Sequence, residues 1–309
     1  MTIIVTGAGG FVGRQLVRRL LAAGQSVVGM DSMPGGIPAG ARAVVGDICS
    51  AEVRAEAFRD GCGALVHLAT VPGGAAEADP AASRRVNIDA MYDLLEDARA
   101  AGDRPRIVYA SSIAVFGDPL PARGGDDATP LAPRMVYGGH KAMMEIAVAM
   151  MHHRGGIEGV SVRPPGILAR PKGPSGMKSA FMSDLFHALR AGEDFVCPVS
   201  RGATIWAQSV SRCADNLVHA LGMDAALMPV TRVVTLPAQR IAMGDLAVEI
   251  ARQCGTSADL VRYQPDAALE AAFGAHPPLA TPAAERAGFA HDGDPAKLVA
   301  NALAVITAD

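Results

Sequence analysis

A short apolar run, Thr2–Thr6, breaks directly into Gly7-Ala8-Gly9-Gly10-Phe11-Val12-Gly13, and residues at helical spacing follow to Ala23. A strand, a glycine-crowded turn and a helix in immediate succession leave few folds open to this chain. The run is short and apolar throughout, so it reads as a parallel strand buried on both faces. The helix ends at Gly24, a residue suited to a C-terminal cap. Gly7 can take a tight turn, Gly10 lets the backbone come close to a pyrophosphate, and Gly13 allows the helix to pack tightly on the strand. The N–H groups opening the helix around Phe11 and Val12 then face an anion. Strand before and helix after are the context a dinucleotide site requires.

The alternation continues. Strands are expected at Ser26–Asp31, Ala43–Val45, Ala64–Leu68, Arg106–Ala110 and Val160–Arg163. Helices are expected over Ala51–Phe58, from Pro80 to about Ala101, and from about Met135 to Arg154. That order implies an α/β fold, a doubly wound parallel sheet with right-handed crossovers. After Arg163 the pattern changes: Pro164-Pro165-Gly166 ends the strand and a basic Pro/Gly-rich loop, Arg170–Met177, follows. Helices are then expected at Lys178–Ala191, Val210–Leu221, Met243–Cys254 and Pro295–Ile306, with short strands near Ala203–Trp206, Val230–Thr235 and Asp259–Arg262. The expected division is a nucleotide-binding domain, 1–165, and a smaller α+β substrate domain, 166–309, with segments near 203–235 returning to the sheet.

Aromatics make up only 4% of the 309 residues, so the core must be aliphatic. A formal net charge of −3, with basic residues clustered only in pairs such as Arg18-Arg19, argues against nucleic acid as a partner. No apolar run approaches the roughly 18–20 residues of a membrane span, and no signal-like segment precedes Thr2. Cys49, Cys62, Cys197, Cys213 and Cys254 are odd in number and form no CxxC pair, which points away from disulfides and zinc and toward the cytoplasm. No spacing of His, Cys, Asp and Glu suggests a metal site.

Asp31 closes the second strand, where a carboxylate accepts both ribose hydroxyls of NAD and repels a 2′-phosphate. Ser32-Met33-Pro34 bring no cation to offset it, so NAD is expected rather than NADP. Asp47 either contacts the adenine amine or caps the next helix. Tyr137 and Lys141 stand one helical turn apart, which stacks a phenol and an ammonium on one face. A nearby positive charge is expected to lower the phenol's pKa and make it a general base. Ser112, just past the fifth strand, lies at the sheet edge where such folds bind ligands and can hold a reacting oxygen.

These segments, together with Gly46-Asp47-Ile48, His67-Leu68-Ala69, Val86-Asn87-Ile88, Ser111–Gly117 and Tyr137–Lys141, resemble the extended short-chain dehydrogenase/reductase family, which includes nucleotide-sugar epimerases and dehydratases. The resemblance covers about the first half of the chain. It implies Ser112, Tyr137 and Lys141 as the catalytic set. It also implies a cofactor pocket that includes Ile48, Leu68, Ala69, Asn87, Ser111 and Pro164. A homodimer, built on the helices after the fourth and fifth strands, is expected on the same ground.

Departures from that family narrow the reaction. Ile113 and Ala114 occupy the places where dehydratases carry Asp-Glu, so the acid and base for water elimination are missing. Arg163-Pro164-Pro165-Gly166 lacks the Asn that nucleotide-sugar enzymes place after the sixth strand. Arg163–Phe181, Val196–Val199 and Trp206 instead resemble the D-erythronate dehydrogenase-like members, which oxidise the 2-hydroxyl of small sugar acids. Arg170, Lys172 and Lys178 would put positive charge near a substrate carboxylate, and Trp206 either packs the pocket wall or reads the substrate. The leading expectation is an NAD-dependent dehydrogenase of a small hydroxy acid. The alternatives are a nucleotide-sugar 4-epimerase and a non-catalytic NAD sensor.

Overall fold

The computed structural model describes residues 1–117, 120–121, 124–173 and 178–306. Seven parallel strands form the main sheet in the order β10-β6-β5-β4-β1-β2-β3. They are β1 (Thr2–Thr6), β2 (Ser26–Asp31), β3 (Arg42–Val45), β4 (Ala64–His67), β5 (Arg106–Ala110), β6 (Glu158–Arg163) and β10 (Val233–Thr235). Strand order reverses between β1 and β4, and such a reversal opens a crevice at the carboxyl ends of the strands. β4 is buried at every position and β1 at all but its first, as strands covered on both faces must be.

One face of the sheet is covered by helices Phe11–Ala22 and Val210–Gly222, whose Leu16, Val17, Leu20, Val210 and Leu217 join β1 and β4 side chains in one core. The other face is covered by Ala51–Phe58, Met91–Ala101 and Val136–His153, through Phe58, Leu94, Leu95, Met144 and Val148. Helix Phe11–Ala22 ends as expected: Gly24 takes φ 72°, and the N–H groups of Gly24 and Gln25 return to the carbonyls of Leu21 and Leu20.

The second half adds a three-stranded sheet, β11-β9-β7, from Gln239–Ala242, Thr204–Gln208 and Gly166–Ile167. A parallel pair joins β8 (Phe195–Cys197) to β12 (Val261–Tyr263). A separate core forms here among Leu185, Phe186, Ile205, Leu246, Ile250 and Leu298. Of the 203–235 segment, helix Val210–Gly222 and β10 belong to the main sheet's layers, whereas β9 belongs to the smaller sheet.

The helix expected from Pro80 to Ala101 is not uniform. Pro80–Arg84 and Met91–Ala101 are α-helical, and Arg85–Ala90 between them is a π-helical turn. The wide turn presents Asn87 inward, where its Oδ1 accepts from the Thr70 hydroxyl at 2.9 Å and the Val71 N–H at 2.8 Å. Its Nδ2 donates to the Val71 carbonyl at 3.0 Å and to Ser83 Oγ at 3.1 Å. Such bulges recur at functional sites; this one fixes the loop after β4.

A buried ion pair joins helix Val136–His153 to the end of β6. Arg163 donates from Nε to Glu145 Oε1 at 2.8 Å and from Nη2 to Oε2 at 2.7 Å, and Glu145 is only 2% exposed. Glu145→Ala would leave the guanidinium buried without its carboxylate. The expected loss is about 3–5 kcal/mol, read by chemical denaturation; a change under about 1 kcal/mol would show that water replaces the carboxylate at no cost.

Candidate active site

A cavity of about 710 Å³ lies along the carboxyl ends of the main-sheet strands. Gly7, Gly10, Phe11, Val12 and Gly13 line it from the first turn, Asp31, Asp47 and Ile48 from the ends of β2 and β3, and Leu68 and Ala69 from the end of β4. Ser111, Ser112, Tyr137, Lys141, Pro164 and Arg170 complete its other end. The backbone is closely packed at the strand-order reversal. Gly7 has φ 67°, and a Cβ on it would lie 2.9 Å from the Ala69 nitrogen. A Cβ on Gly13 would lie 2.0 Å from the Gly7 carbonyl oxygen. Gly10 is the N-cap of helix Phe11–Ala22 and supplies no side-chain cap, so the helix start is open to an anion.

Both oxygens of Asp31 hold local backbone: Oδ2 accepts from Gly9 N–H at 2.9 Å and Oδ1 from Met33 N–H at 3.1 Å. A carboxylate has lone pairs left for ribose hydroxyls after two such bonds. Asp47 does not cap the following helix. Ser50 does, accepting from Val53 N–H at 3.3 Å, while Asp47 Oδ1 accepts from Cys49 N–H at 2.9 Å. Asn87, expected in the cofactor pocket, stands behind its wall instead; it orients Thr70 and Val71, and these, with Val86, line the cavity. Thr6 is a further support that the sequence did not announce. Its hydroxyl accepts from the N–H groups of Leu68 and Ala69 at 3.2 Å each and bonds His67 Nδ1 at 2.8 Å. Burial drives the His67 pKa down to about 3, with the Lys141 charge adding to the effect, so the ring is neutral and acts as a structural partner.

A second cavity of about 230 Å³ adjoins the first. The two share Ser112, Tyr137, Pro165, Ile167 and Arg170 in their linings. Only the smaller is lined by Gly73, Glu77, Ile113, Lys178, Met182, Trp206, Phe273 and His276. Ser112 opens the 3-10 turn Ile113–Phe116, accepting from Ala114 N–H at 3.1 Å. Tyr137 sits in the first turn of helix Val136–His153. Gly138 lets that turn press on the Ser112 loop, since a Cβ there would come 2.4 Å from the Ala114 oxygen. Glu77 reaches across to accept from the Val136 N–H at 2.6 Å.

The electrostatics differ from the simple expectation. Burial raises the Tyr137 pKa, and a hydrogen bond from Ser112 and the charge of Arg170 pull it back. Lys141 is 3% exposed, and burial brings its own pKa down to about 7. Its Nζ donates to the Ala110 carbonyl at 2.7 Å and lies 5.6 Å from the Tyr137 ring centroid. The phenol thus stands near two cations, Arg170, whose charge lowers its pKa, and Lys141 beside its ring. Burial also lowers the Arg170 pKa, with Tyr137 acting in the opposite sense. The guanidinium lies 5.4 Å from the Phe11 ring centroid, within cation–π range. Its backbone follows Ala169, a buried non-glycine residue at φ 59°; such a conformation costs roughly 1 kcal/mol or more and is held only where surroundings impose it.

Lys172 lies outside both linings, exposed and 3.9 Å from Glu193. Residues 174–177 of the basic loop lie outside the described residues. Trp206 is 1% exposed and donates from Nε1 to the Pro277 carbonyl at 2.7 Å. Glu77, Cys213, Phe273 and His276 line the cavities without a signal in the sequence, and Gly138 supports the site from behind the Ser112 loop. Of these, only Gly138 carried a local signal, a glycine inside a helix where it costs stability. Among the described residues no helix is long and apolar enough to cross a membrane, and no cluster of His, Cys, Asp and Glu could hold a metal ion.

Residues 3–206 match the NAD dependent epimerase/dehydratase family. The chain is similar to D-erythronate dehydrogenase of Cupriavidus necator, 34% identical over 90% of each chain. It is also similar to D-erythronate dehydrogenase of Haemophilus influenzae, 30% identical over 77% of each. Among solved structures, the nucleoside-diphosphate-sugar epimerase from Agrobacterium tumefaciens superposes with a TM-score of 0.87 at 27% identity, covering 97% of this chain and 92% of that one. A holo GalE-like L-threonine dehydrogenase from Cupriavidus necator reaches 0.88 at 24% identity over 99% and 100% of the two chains, a likeness of fold.

Gly13→Ala tests the dinucleotide cradle. The added methyl meets backbone at 2.0 Å, so affinity for a nicotinamide dinucleotide should fall at least about tenfold, or 1.4 kcal/mol. Calorimetric titration measures it, and unchanged affinity would contradict the assignment.

Proposed function

Because the chain belongs to the NAD dependent epimerase/dehydratase family, we propose that it oxidises the 2-hydroxyl of a small sugar acid to a 2-oxo acid, with NAD as the acceptor. It is an oxidoreductase that uses a nicotinamide cofactor. The observation that carries the finer reading is the meeting of a large and a small cavity at Ser112, Tyr137 and Arg170. A hydroxyl, a phenol and a guanidinium at one junction suit a substrate that presents a carbinol beside a carboxylate.

When bound, oxidised nicotinamide supplies the hydride acceptor. The protein's own groups do the rest. Ser112 holds the substrate oxygen and the phenol together. Tyr137 takes the hydroxyl proton as its C–H bond breaks. Arg170 pairs with the carboxylate, for which its planar fork is suited, and its charge favours the phenolate. Lys141, held by the Ala110 carbonyl, keeps the ribose end of the cleft polar. Asp31 selects NAD over NADP through its place at the end of β2.

The D-erythronate dehydrogenases that this chain resembles along most of its length support a four-carbon acid. The size of the smaller cavity speaks against the epimerase alternative. Pockets for drug-sized ligands span about 300–1,000 Å³; at about 230 Å³ this one falls below that range, and a nucleoside diphosphate sugar exceeds a typical drug in size. Phenol and cation at the junction also have no purpose in a pure sensor.

Incubation with NAD and a panel of four- to six-carbon aldonates, followed by absorbance of the reduced cofactor, tests the reading. A silent panel with tight binding of a nucleoside diphosphate would overturn it. Tyr137→Phe should lower kcat by about a thousandfold, the scale of a lost general base, and leave NAD affinity within about twofold. Arg170→Gln should raise KM for the acid at least tenfold, about 1.4 kcal/mol. It should also move the acid limb of the oxidation profile to higher pH. The sign follows from the base: activity needs the deprotonated phenol and so rises with pH, and losing the Arg170 charge raises the phenol's pKa. A limb that stays in place would remove Arg170 from the base's environment.

We also take helix Val136–His153 to be the face for a second copy. Met144, Val148 and Met151 are buried in the core, whereas Met143, Ile146 and Met150 are 49%, 66% and 38% exposed, with Tyr92 of the neighbouring helix at 39%. Ile146→Glu should convert a dimer to a monomer by light scattering, and a monomeric wild-type chain would contradict this assignment.

A further inference from the structure

The segment after β4 walls both cavities. Thr70 and Val71 line the larger one, and Pro72, Gly73, Gly74 and Glu77 line the smaller. Two connections tie this segment to the helix that carries Tyr137 and Lys141. The first is Glu77, which accepts from the Val136 N–H. The second is a chain of buried side chains that ends at His140, the residue just before Lys141. Asn87 begins it. Val71 fixes which way its amide faces, because the backbone N–H must donate to Oδ1 and the backbone carbonyl must accept from Nδ2. The same Nδ2 therefore donates to Ser83 Oγ, at 3.1 Å. Ser83 Oγ in turn lies 3.0 Å from His140 Nδ1. Burial lowers the His140 pKa, with Asp89 opposing it, so the ring is neutral at neutral pH. The assignment that gives the Ser83 proton an acceptor makes Nδ1 the lone-pair nitrogen and puts the ring's hydrogen on Nε2. His140, Ser83 and Asn87 line neither cavity.

We infer that His140 is a positioning residue for the dinucleotide: through Ser83 and Asn87 it holds the Thr70–Val71 wall in the arrangement that receives the cofactor, and so sets how tightly the cofactor binds. The inference rests on the larger cavity taking a nicotinamide dinucleotide and is independent of which acid is oxidised. Asn87 grips Val71 by its main-chain N–H and carbonyl, so a tilt of its amide moves backbone rather than one side chain. Cutting the chain at His140 leaves the Ser83 hydroxyl without its acceptor in a buried place, where an unpaired polar group is costly. Ser83 must then turn toward another partner, and the bond it disturbs in doing so is the one from Asn87. A wall that spends only part of its time in the receiving arrangement weakens apparent affinity by that fraction. His140 also lies between Tyr137 and Lys141 in the chain, so the wall and the proposed catalytic groups take their positions from the same helical turn.

Calorimetric titration of the full chain with NAD tests this, in the wild type, His140→Leu, Ser83→Ala, the double variant and His140→Asn. Each of the first two substitutions should raise Kd about fivefold, as expected when the receiving arrangement falls to about a fifth of the population. The double variant should bind no more weakly than the worse single one, because one cut already breaks the chain. His140→Asn should return Kd to within about twofold of the wild type, since its amide oxygen can accept where Nδ1 does. A Kd unchanged in both single variants would overturn the inference. So would effects that multiply to about twenty-five-fold in the double variant, which would make the two residues independent. A His140→Asn variant as weak as His140→Leu would likewise reduce His140 to packing. Should His140→Leu fail to fold, Ser83→Ala and His140→Asn decide the matter: a raised Kd in the first with a near-wild-type Kd in the second is expected, and equal affinities would overturn it. Because the readout is binding, the result does not depend on whether an aldonate is oxidised. If the wild type binds no NAD, this inference and the cofactor assignment fall together.

Discussion

The first turn of helix Val136–His153 approaches the loop carrying Ser112 more closely than any side chain other than hydrogen permits, and Gly138 is what makes this possible. Everything chemical in the molecule depends on that approach. It brings the Tyr137 phenol to the Ser112 hydroxyl, and the helix is then fastened along its length. Glu77 holds its opening N–H, Lys141 reaches the Ala110 carbonyl at the end of β5, and Glu145 grips Arg163 at the end of β6 as well as the Ser111 hydroxyl. The candidate catalytic groups are thus placed by anchors on three different elements. A helix fixed at several points holds side-chain positions to the tolerance that positioning in catalysis requires.

Burial gives the site its electrical character. The Tyr137 phenol, the Lys141 amine and the Arg170 guanidinium are all shifted toward their neutral forms by loss of water. Low local dielectric strengthens the interactions among charges that remain. In the proposed reading a negatively charged substrate in the small cavity meets Arg170, which follows a left-handed Ala169 and lies against the Phe11 ring. Phe11 belongs to the glycine-rich first turn, so Arg170 stands between the two cavities and lines both.

Much of this was legible in the chain. The glycine turn, the strand–helix alternation and the Tyr137–Lys141 spacing depend on local sequence, and the described strands and helices of the first half fall close to where periodicity put them. What the sequence did not reveal depends on distant contacts. Asn87 lies in a segment resembling a cofactor motif, yet a π-helical turn directs it to the loop at Thr70–Val71. Lys172 is near Arg170 in sequence but points to Glu193. Helical spacing reveals the cation beside Tyr137 but not the burial around the ring, which raises the phenol's pKa. Phe273 and His276 reach the small cavity from a part of the chain with no motif at all.

Transfer of isotope from carbon 2 of the acid tests the central claim most directly, because it reports which carbon the two cavities hold against the cofactor. A four-carbon aldonate bearing deuterium only at carbon 2 would be oxidised with NAD, and the reduced cofactor analysed by mass spectrometry. The account expects one deuterium per molecule of reduced cofactor formed. Recovery of unlabelled reduced cofactor, with the deuterium retained in the oxidised acid, would contradict it.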